Sequence, residues 1–259
     1  MKYKLLALDI DGTIVPEGTN EVSLAVAQAI KKASERVVIS LVTARSYDHL
    51  KSFIPILNCP EAFHVVENGA KILSPKGTLL RDLHIPHAEV QEILNASTGY
   101  YRDVGFCCDN HWIDEEEHAP YASLVNGISF TCQDEVHAQM IQQSVRNLPQ
   151  EYACYVIHHW EVPDWSGVMV FHKDATKGNG MHYIQETLGI TKEETIAVGD
   201  GGTDISMFDF AGVRVAMGNA EDILKQNADL IAPSVEDDGL AHVIQEYVLT
   251  SPPSIHPRP

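Results

Sequence analysis

The 259-residue sequence has no apolar run approaching the ~20 residues that a membrane-spanning helix requires. It is also poor in positive charge, because 18 Lys and Arg residues stand against 36 Asp and Glu residues and the formal net charge is -18. No basic cluster is present that could hold a nucleic-acid backbone. We therefore expect neither a nucleic-acid partner nor a membrane partner, and an anionic ligand would need a local positive site.

Cysteine is scarce and follows no pattern. The five cysteines lack Cys-x-x-Cys spacing, and an odd number cannot all form pairs. Cys107 and Cys108 are adjacent in a strand-like run, so their side chains should point to opposite faces of a sheet. These features favour reduced thiols over a disulfide framework or a zinc site. Because the first strand begins directly, with no signal-peptide pattern before it, we expect a soluble, cytoplasmic protein.

The most informative stretch is Asp-Ile-Asp-Gly-Thr at residues 9–13, which follows the apolar run at residues 3–8. In a parallel sheet, ligands bind at the carboxyl ends of the strands. Asp9 and Asp11 lie so close together that they repel each other unless a cation or a proton sits between them. The pattern therefore indicates a metal site or an acid–base pair, and the alternative is a strand end with solvated acids.

The outer parts of the chain alternate between strand-like and helix-like patterns. Strand-like apolar runs lie at 3–8, 37–42, 63–66, 195–199 and 213–217, and helical patterns lie at 21–34, 46–53, 177–188, 205–211, 220–226 and 240–247. This alternation predicts an α/β fold with a Rossmann-like doubly wound parallel sheet.

The pattern changes near residue 80. Helical spacing at 88–97 and 134–147 is interleaved with strand-like runs at 104–108, 128–132, 152–158 and 167–171. We therefore predict an inserted α+β domain at 82–172, which divides the core domain into residues 1–81 and 173–250. Residues 251–259 contain four prolines and are predicted to be a disordered tail. The oligomeric state cannot be predicted from the sequence.

Three polar side chains, Asp9, Thr43 and Asp200, stand at the ends of separate strand-like runs. Such strand ends converge on one edge of a parallel sheet, so the three can meet in space. The turn Gly-Asp-Gly-Gly-Thr-Asp at residues 199–204 adds a further carboxylate, Asp204, to those of Asp9, Asp11 and Asp200. Oxygen ligands of this kind suit Mg²⁺ better than zinc.

Lys177 opens a predicted helix within Asp-Ala-Thr-Lys-Gly-Asn-Gly at residues 174–180. The helix dipole disfavours a cation in the first turn by roughly 0.3–1 kcal/mol, and glycine weakens the helix further. The sequence therefore suggests that the ammonium group is needed near an anion. The alternative is a solvated lysine paired with Asp174.

With these motifs, the chain resembles the haloacid dehalogenase superfamily of phosphohydrolases, and within it the Cof-type (subfamily IIB) branch, over nearly its whole length. Residues 9–13 match the first family motif, Lys177-Gly178 matches the lysine motif, and residues 199–204 match the final acidic motif. The sequence departs from the usual pattern at Ala44, where glycine is usual, and at Thr203, where asparagine is commoner. Neither departure removes a chemical group that the mechanism needs.

The resemblance implies roles for four carboxylates. Asp9 would be the nucleophile that forms an aspartyl-phosphate. Asp11 would protonate the leaving oxygen and then take a proton from the attacking water. Mg²⁺ would bind the Asp9 carboxylate, the Asp11 main-chain carbonyl and Asp200, with Asp204 close by or bound through water.

The resemblance also implies a set of phosphate-binding and supporting residues. Thr43, Ala44 and Lys177 would bind the phosphoryl oxygens. Three further residues are possible supporting groups near the same edge, and for the two asparagines a loop-capping role is the alternative: Arg45, Asn68 and Asn219.

The insert would act as a cap that closes over the site and selects the leaving group. Six of its residues are candidate contacts, although core packing is the alternative role for most of them: Arg102, His111, Trp112, His158, His159 and Trp160. The implied function is a Mg²⁺-dependent phosphatase for a small phosphoester, such as a sugar phosphate, phosphoglycolate or a cofactor phosphate. A phosphotransferase or phosphomutase using the same intermediate, or a non-catalytic phosphoryl-binding module, are the alternatives.

Overall fold

The computed structural model describes residues 2–51, 53–114, 124–158, 162 and 164–250. Within these residues the strands are β1 (Leu5–Leu8), β2 (Val38–Val42), β3 (Phe63–Val66), β4 (Lys71–Leu73), β5 (Leu79–Asp82), β6 (Asp103–Cys108), β7 (His111–Asp114), β8 (Val125–Cys132), β9 (Tyr152–His158), β10 (Ser166–His172), β11 (Thr195–Gly199), β12 (Val213–Ala216) and β13 (Leu230–Ile231). The α-helices are α1 (Leu24–Ser34), α2 (Tyr47–Lys51), α3 (Ile54–Leu57), α4 (His87–Ser97), α5 (Glu135–Arg146), α6 (Lys177–Leu188), α7 (Ile205–Phe208), α8 (Asp222–Asn227) and α9 (Gly239–Ile244).

The core sheet has eight strands in the order β13-β12-β11-β1-β2-β3-β4-β5. The six strands from β13 to β3 are parallel, whereas β4 and β5 add an antiparallel hairpin at one edge. All four residues of β1 are fully buried, as expected for a central strand that is covered on both faces. The predicted doubly wound parallel sheet is confirmed, and β1 ends at its centre, directly before Asp9.

Helix α6 follows this sheet edge and has the bounds that the sequence predicts. The Thr176 side chain caps it by accepting a hydrogen bond from the Asn179 backbone N–H at 3.1 Å. Gly189 ends it with a left-handed φ of 64°. Gly178 is required for packing, because a Cβ there would lie 2.0 Å from the Ser206 carbonyl oxygen. The first turn of α6 is thereby held against α7, and Lys177 is placed beside the core sheet.

The second sheet is antiparallel, with the order β7-β6-β8-β10-β9. One face packs against α4 and α5 through a buried cluster that includes Phe106, Ile128 and Phe130. The opposite face contacts the core, where Phe171 and Ala153 pack with Ala70 and Ala175. The second sheet therefore lies against the core domain on one side and has its own hydrophobic core on the other.

Several elements differ from the sequence prediction. The helix predicted at 46–53 is α2, and a further short helix that was not predicted, α3, follows it; Pro55 lies in the first turn of α3, where its missing N–H costs nothing. The hairpin of β4 and β5 was not predicted, because its strands have only three and four residues and contain Lys, Arg and Asp. The predicted tail at 251–259 lies outside the described residues.

All five cysteines are free thiols, in agreement with the sequence prediction. Cys108 belongs to the buried cluster between the second sheet and its helices, whereas Cys107 is on the opposite face. Among the described residues, no helix is both long and apolar enough to cross a membrane.

His64 on β3 predicts a pH dependence of stability. Its side chain is buried, its Nδ1 has no hydrogen-bond partner, and burial lowers its pKa to about 4. The unfolded chain binds this proton near pH 6.5 and the folded protein does not, so stability is lost as the pH falls from about 6.5 to 4. The loss attributable to His64 should be on the order of 3 kcal/mol.

Urea unfolding between pH 7 and pH 4 measures this effect. His64→Gln should flatten the decline, while His182→Gln, a half-exposed histidine on α6, should leave it unchanged. Equal slopes for wild type and His64→Gln would show that His64 does not cause the acid sensitivity.

Candidate active site

A buried lysine joins two carboxylates at the carboxyl edge of the core sheet. Lys177 Nζ donates hydrogen bonds to Asp9 Oδ1 at 2.7 Å and to Asp204 Oδ1 at 2.6 Å. All three side chains are at most 5% exposed. Burial alone lowers the pKa of Lys177, but the Asp204 and Asp9 charges outweigh it and the pKa is raised. The ammonium group is therefore firmly charged, and it is not the solvated surface lysine of the alternative interpretation.

The acidic turn after β11 is organised by Asp204. Its Oδ2 accepts hydrogen bonds from the backbone N–H groups of Asp200 at 2.9 Å and Gly201 at 3.0 Å. Gly12, with a φ of 71°, lies so close to Asp200 that a Cβ would be 1.9 Å from its Oδ2. Only glycine at position 12 permits this approach of the two acidic motifs.

Asp9, Asp200 and Asp204 can each place one carboxylate oxygen within 4.8 Å of the others. Burial, followed by mutual repulsion, raises the pKa of both Asp9 and Asp200. A cation would relieve this repulsion, and a set of carboxylate oxygens is the donor set that Mg²⁺ prefers. These three residues fit a hard divalent cation.

Asp11 is not a member of this cluster. Its carboxylate makes a two-point ion pair with Arg45, with Nε to Oδ2 at 2.8 Å and Nη2 to Oδ1 at 2.5 Å. The Asp11 side chain is 36% exposed, whereas Asp9 is buried. Two carboxylates that are two residues apart therefore have different surroundings, and the Asp11 carboxylate is paired with a cation of its own.

Thr43, at the end of β2, is buried and accepts hydrogen bonds from two nearby segments. Its Oγ1 accepts a hydrogen bond from the Arg45 backbone N–H at 3.0 Å, and its carbonyl accepts one from the Asn68 N–H at 3.0 Å. The Asn68 side-chain amide donates to the Ala175 carbonyl at 3.2 Å, two residues before Lys177. The structure thus connects three of the predicted site segments through Asn68.

The loop that carries Asn68 has an unusual backbone. Glu67, Asn68 and Gly69 have consecutive left-handed φ angles of 53°, 57° and 101°. Such angles are costly for residues other than glycine and persist only where the surrounding structure imposes them. At Gly69 a Cβ would lie 2.2 Å from the Thr176 carbonyl oxygen, so the loop presses against the start of α6.

Asn219, a predicted supporting residue, links the two acidic motifs from a third segment. Its Nδ2 donates to the Gly12 carbonyl at 2.8 Å and lies 3.4 Å from Asp200 Oδ2. Its Oδ1 accepts from the Val235 backbone N–H at 2.9 Å. Asn219 therefore fixes the loop at Val235 to the two acidic motifs, which is compatible with either of its predicted roles.

Tyr155, on β9 of the second sheet, was not among the residues predicted from the sequence. It packs against the cluster that contains Ala70 and Ala175, and burial raises its pKa while Asn68 and Lys177 oppose this rise. A tyrosine in an alternating strand gives no sequence signal that could identify it. Of the candidate contacts, Trp112 packs near Tyr155, whereas Arg102, His111 and His158 are exposed. His159 and Trp160 lie outside the described residues.

Comparison with known proteins assigns the family. A sequence model described as haloacid dehalogenase-like hydrolase matches residues 6–144 and 127–244. The chain belongs to the haloacid dehalogenase-like hydrolase family. Two relatives and one solved structure show how far the similarity extends.

The 5-amino-6-(5-phospho-D-ribitylamino)uracil phosphatase YitU of Bacillus subtilis is 27% identical, covering 95% of this chain and 98% of the relative. Phosphoglycolate phosphatase 1 of Saccharolobus solfataricus is 25% identical, covering 95% and 96%. A haloacid dehalogenase-like hydrolase structure from B. subtilis aligns with a TM-score of 0.82 at 20% identity, covering 94% of this chain and 99% of that one. The last comparison supports the fold.

This hydrolase departs from the family pattern at Ala44 and Thr203, and the local structure accepts both residues. Ala44 does not have a left-handed backbone, so the absence of the usual glycine creates no strain there. Thr203 keeps its place in the acidic turn, where its carbonyl accepts a hydrogen bond from the Ser206 hydroxyl at 3.0 Å.

The crowded carboxylates of this hydrolase predict that Mg²⁺ stabilises the fold. At a Mg²⁺ concentration about 100 times its Kd, the gain is about 2.7 kcal/mol, which corresponds to a Tm increase of about 5–10 °C. Asp200→Asn should abolish most of this increase because it removes a ligand charge. Thermal unfolding with Mg²⁺ or with EDTA measures the shift, and Asp209→Asn, an exposed acid on the adjacent segment, is the matched control. An unchanged shift in Asp200→Asn would place the cation elsewhere.

Proposed function

We propose that this chain is a Mg²⁺-dependent phosphoric monoester hydrolase that acts on a small phosphoester through an aspartyl-phosphate. One observation carries the proposal: Asp9 is fixed by Lys177 beside Asp200 and Asp204, whereas Asp11 is held outside that cluster by Arg45. A nucleophile and a proton donor need this separation of environments. Two carboxylates in the same environment could not divide the two tasks.

In the first step, an Asp9 carboxylate oxygen attacks the phosphorus atom, and the bond from phosphorus to the leaving oxygen breaks. Asp11 would leave its ion pair with Arg45, take up a proton and give it to that oxygen, which releases an alcohol. In the second step, water attacks the phosphorus of the aspartyl-phosphate and Asp11 accepts its proton. The products are inorganic phosphate and the original Asp9 carboxylate.

Lys177, the Thr43 hydroxyl and the backbone at Ala44 would hold the phosphoryl oxygens during both steps. Lys177 also fixes the orientation of the Asp9 carboxylate through its 2.7 Å hydrogen bond. Bound Mg²⁺ would neutralise the acids of the cluster and the charge of the phosphoryl group. Asp9, Asp200 and the Asp11 main-chain carbonyl would hold it, with Asp204 close by.

The names of the relatives support the proposal, since both describe phosphatases of small phosphorylated compounds. We further propose that residues 82–172 form the cap, and that residues 1–81 and 173–250 form the core domain. The second sheet at 103–172, which packs on the core beside Lys177, supports this division.

Phosphate release from a panel of small phosphoesters, with and without Mg²⁺, tests the proposal. Asp9→Asn should abolish the metal-dependent release, because an amide is a poor nucleophile toward phosphorus. Asp209→Asn makes the same chemical change at an exposed acid and should retain full activity. Release that persists in a folded Asp9→Asn variant would disprove the assigned nucleophile.

Lys177→Met should lower kcat/KM by roughly 10²–10³-fold, the range for removing one preorganised charge-stabilising group. It should also cost about 3–5 kcal/mol of stability, because two buried carboxylates lose their partner. Lys173→Met, at an exposed lysine on the preceding turn, is the matched control for steady-state kinetics and urea unfolding. An unchanged kcat/KM would remove Lys177 from the site.

A further inference from the structure

We propose that this hydrolase selects phosphomonoesters whose leaving group is uncharged, and that the core-facing side of the second sheet makes the selection. This inference rests on the proposed function. The catalytic residues act on the phosphoryl group, which all phosphomonoesters share, and do not distinguish one leaving group from another. The selection therefore concerns the part of the substrate beyond the phosphoryl group.

The face in question is defined by strand register. Gly105 pairs with Ser129, Ser129 with Met169, and Met169 with Tyr155, so these four residues form a row across β6, β8, β10 and β9. Alternate residues point to the other side, toward α4 and α5. All four residues of the row are half-buried. We call this row, with Trp112 beside it, the selector face.

The selector face adjoins the phosphate site. Met169, Tyr155 and Trp112 pack against the small cluster that contains Ala70 and Ala175, which join the second sheet to the core. The Tyr155 hydroxyl lies within electrostatic reach of Asn68 and Lys177. A leaving group that extends from a phosphoryl group at Lys177 toward the second sheet would therefore meet this face.

Positive charge is nearly absent from this part of the chain. Residues 82–172 contain no lysine and only two arginines, against 14 Asp and Glu residues. Arg102 is exposed, and its guanidinium lies 4.7 Å from the centre of the Trp165 ring. Arg146 ends α5, on the opposite side of the sheet. Neither arginine belongs to the selector face, and the sequence of the undescribed residues within 82–172 adds no Lys or Arg.

Three cations of the adjoining core are paired with core carboxylates. Lys177 is bonded to Asp9 and Asp204, and Arg45 is paired with Asp11. Lys71 Nζ lies 3.7 Å from a Glu67 carboxylate oxygen and donates to Asn110 at 3.1 Å. A carboxylate or second phosphate on the leaving group would lose part of its water against the selector face, where none of the described residues offers a cation, and this is unfavourable.

An uncharged leaving group meets suitable chemistry on the same face. Met169 and Trp112 offer apolar surface, and the Ser129 and Tyr155 hydroxyls can donate or accept hydrogen bonds. The acidic surroundings repel additional negative charge over a longer range. Histidines are the remaining groups that could become positive, so the test is made at pH 8, where an ordinary histidine is neutral.

Two pairs of esters of matched size provide the test: 2-hydroxyethyl phosphate against phosphoglycolate, and glycerol 3-phosphate against 3-phosphoglycerate. In each pair a carboxylate replaces a hydroxymethyl group. We expect kcat/KM to be at least about tenfold higher for the neutral member, equivalent to about 1.4 kcal/mol. Equal values, or a preference for the carboxylates, would overturn the inference while leaving the proposed hydrolase intact. Absence of release from every ester would instead overturn the proposed function.

Met169→Lys places a cation on the selector face and should raise the phosphoglycolate to 2-hydroxyethyl phosphate ratio by about tenfold. Met140→Lys is the matched control, since Met140 is 45% exposed on α5, behind the sheet. Thermal unfolding checks that each variant folds, and Ser129→Lys, in the same row, replaces Met169→Lys if that variant does not. A folded selector-face variant with an unchanged ratio would show that this face does not make the selection.

Discussion

The contact of Lys177 with Asp9 and Asp204 is the interaction on which the other features of the site depend. It joins residues that are 168 and 27 positions apart, and therefore fixes the start of α6 to the ends of two strands, β1 and β11. Burying these charges is expensive, and an apolar replacement of similar shape would often be at least as stable. The contribution of Lys177 is therefore better understood as placement of the Asp9 carboxylate and of a permanent positive charge than as stabilisation of the fold.

Placing that lysine imposes conditions on the surrounding backbone. The loop at Glu67–Gly69 adopts three left-handed residues in succession, and Gly69 and Gly178 allow backbone contacts that any side chain would prevent. Gly12 does the same for the Asp200 carboxylate. Strain and close approach are thus concentrated where the acidic motifs meet, whereas the strands beneath them are regular and fully buried. This division is expected when a rigid sheet supports a site whose own geometry is unfavourable.

The sequence predicted the helices and strands that are determined by local residue patterns. Helix α6 has a polar cap, a periodic apolar face and a terminal glycine, and β11 is an unbroken apolar run, so both have their predicted bounds. The proximity of Asp9 and Asp200 followed from the rule that parallel strands end at one edge. The direction of the Asp11 side chain, the hairpin of β4 and β5, and the position of Tyr155 depend on tertiary contacts. None of these can be obtained from periodicity or spacing alone.

The distribution of charge explains how such an acidic chain could handle an anion. Three cations at the site or beside it, Lys177, Arg45 and Lys71, come from the core and are partnered by core carboxylates. In the proposed mechanism, a phosphoryl group would rely on Lys177 and on a divalent cation to offset the repulsion of the Asp cluster. A second anionic group on the substrate would face the acidic insert without such help. On these proposals, the same shortage of basic residues favours both a bound cation at the phosphoryl group and an uncharged leaving group, and both follow from the composition of one chain.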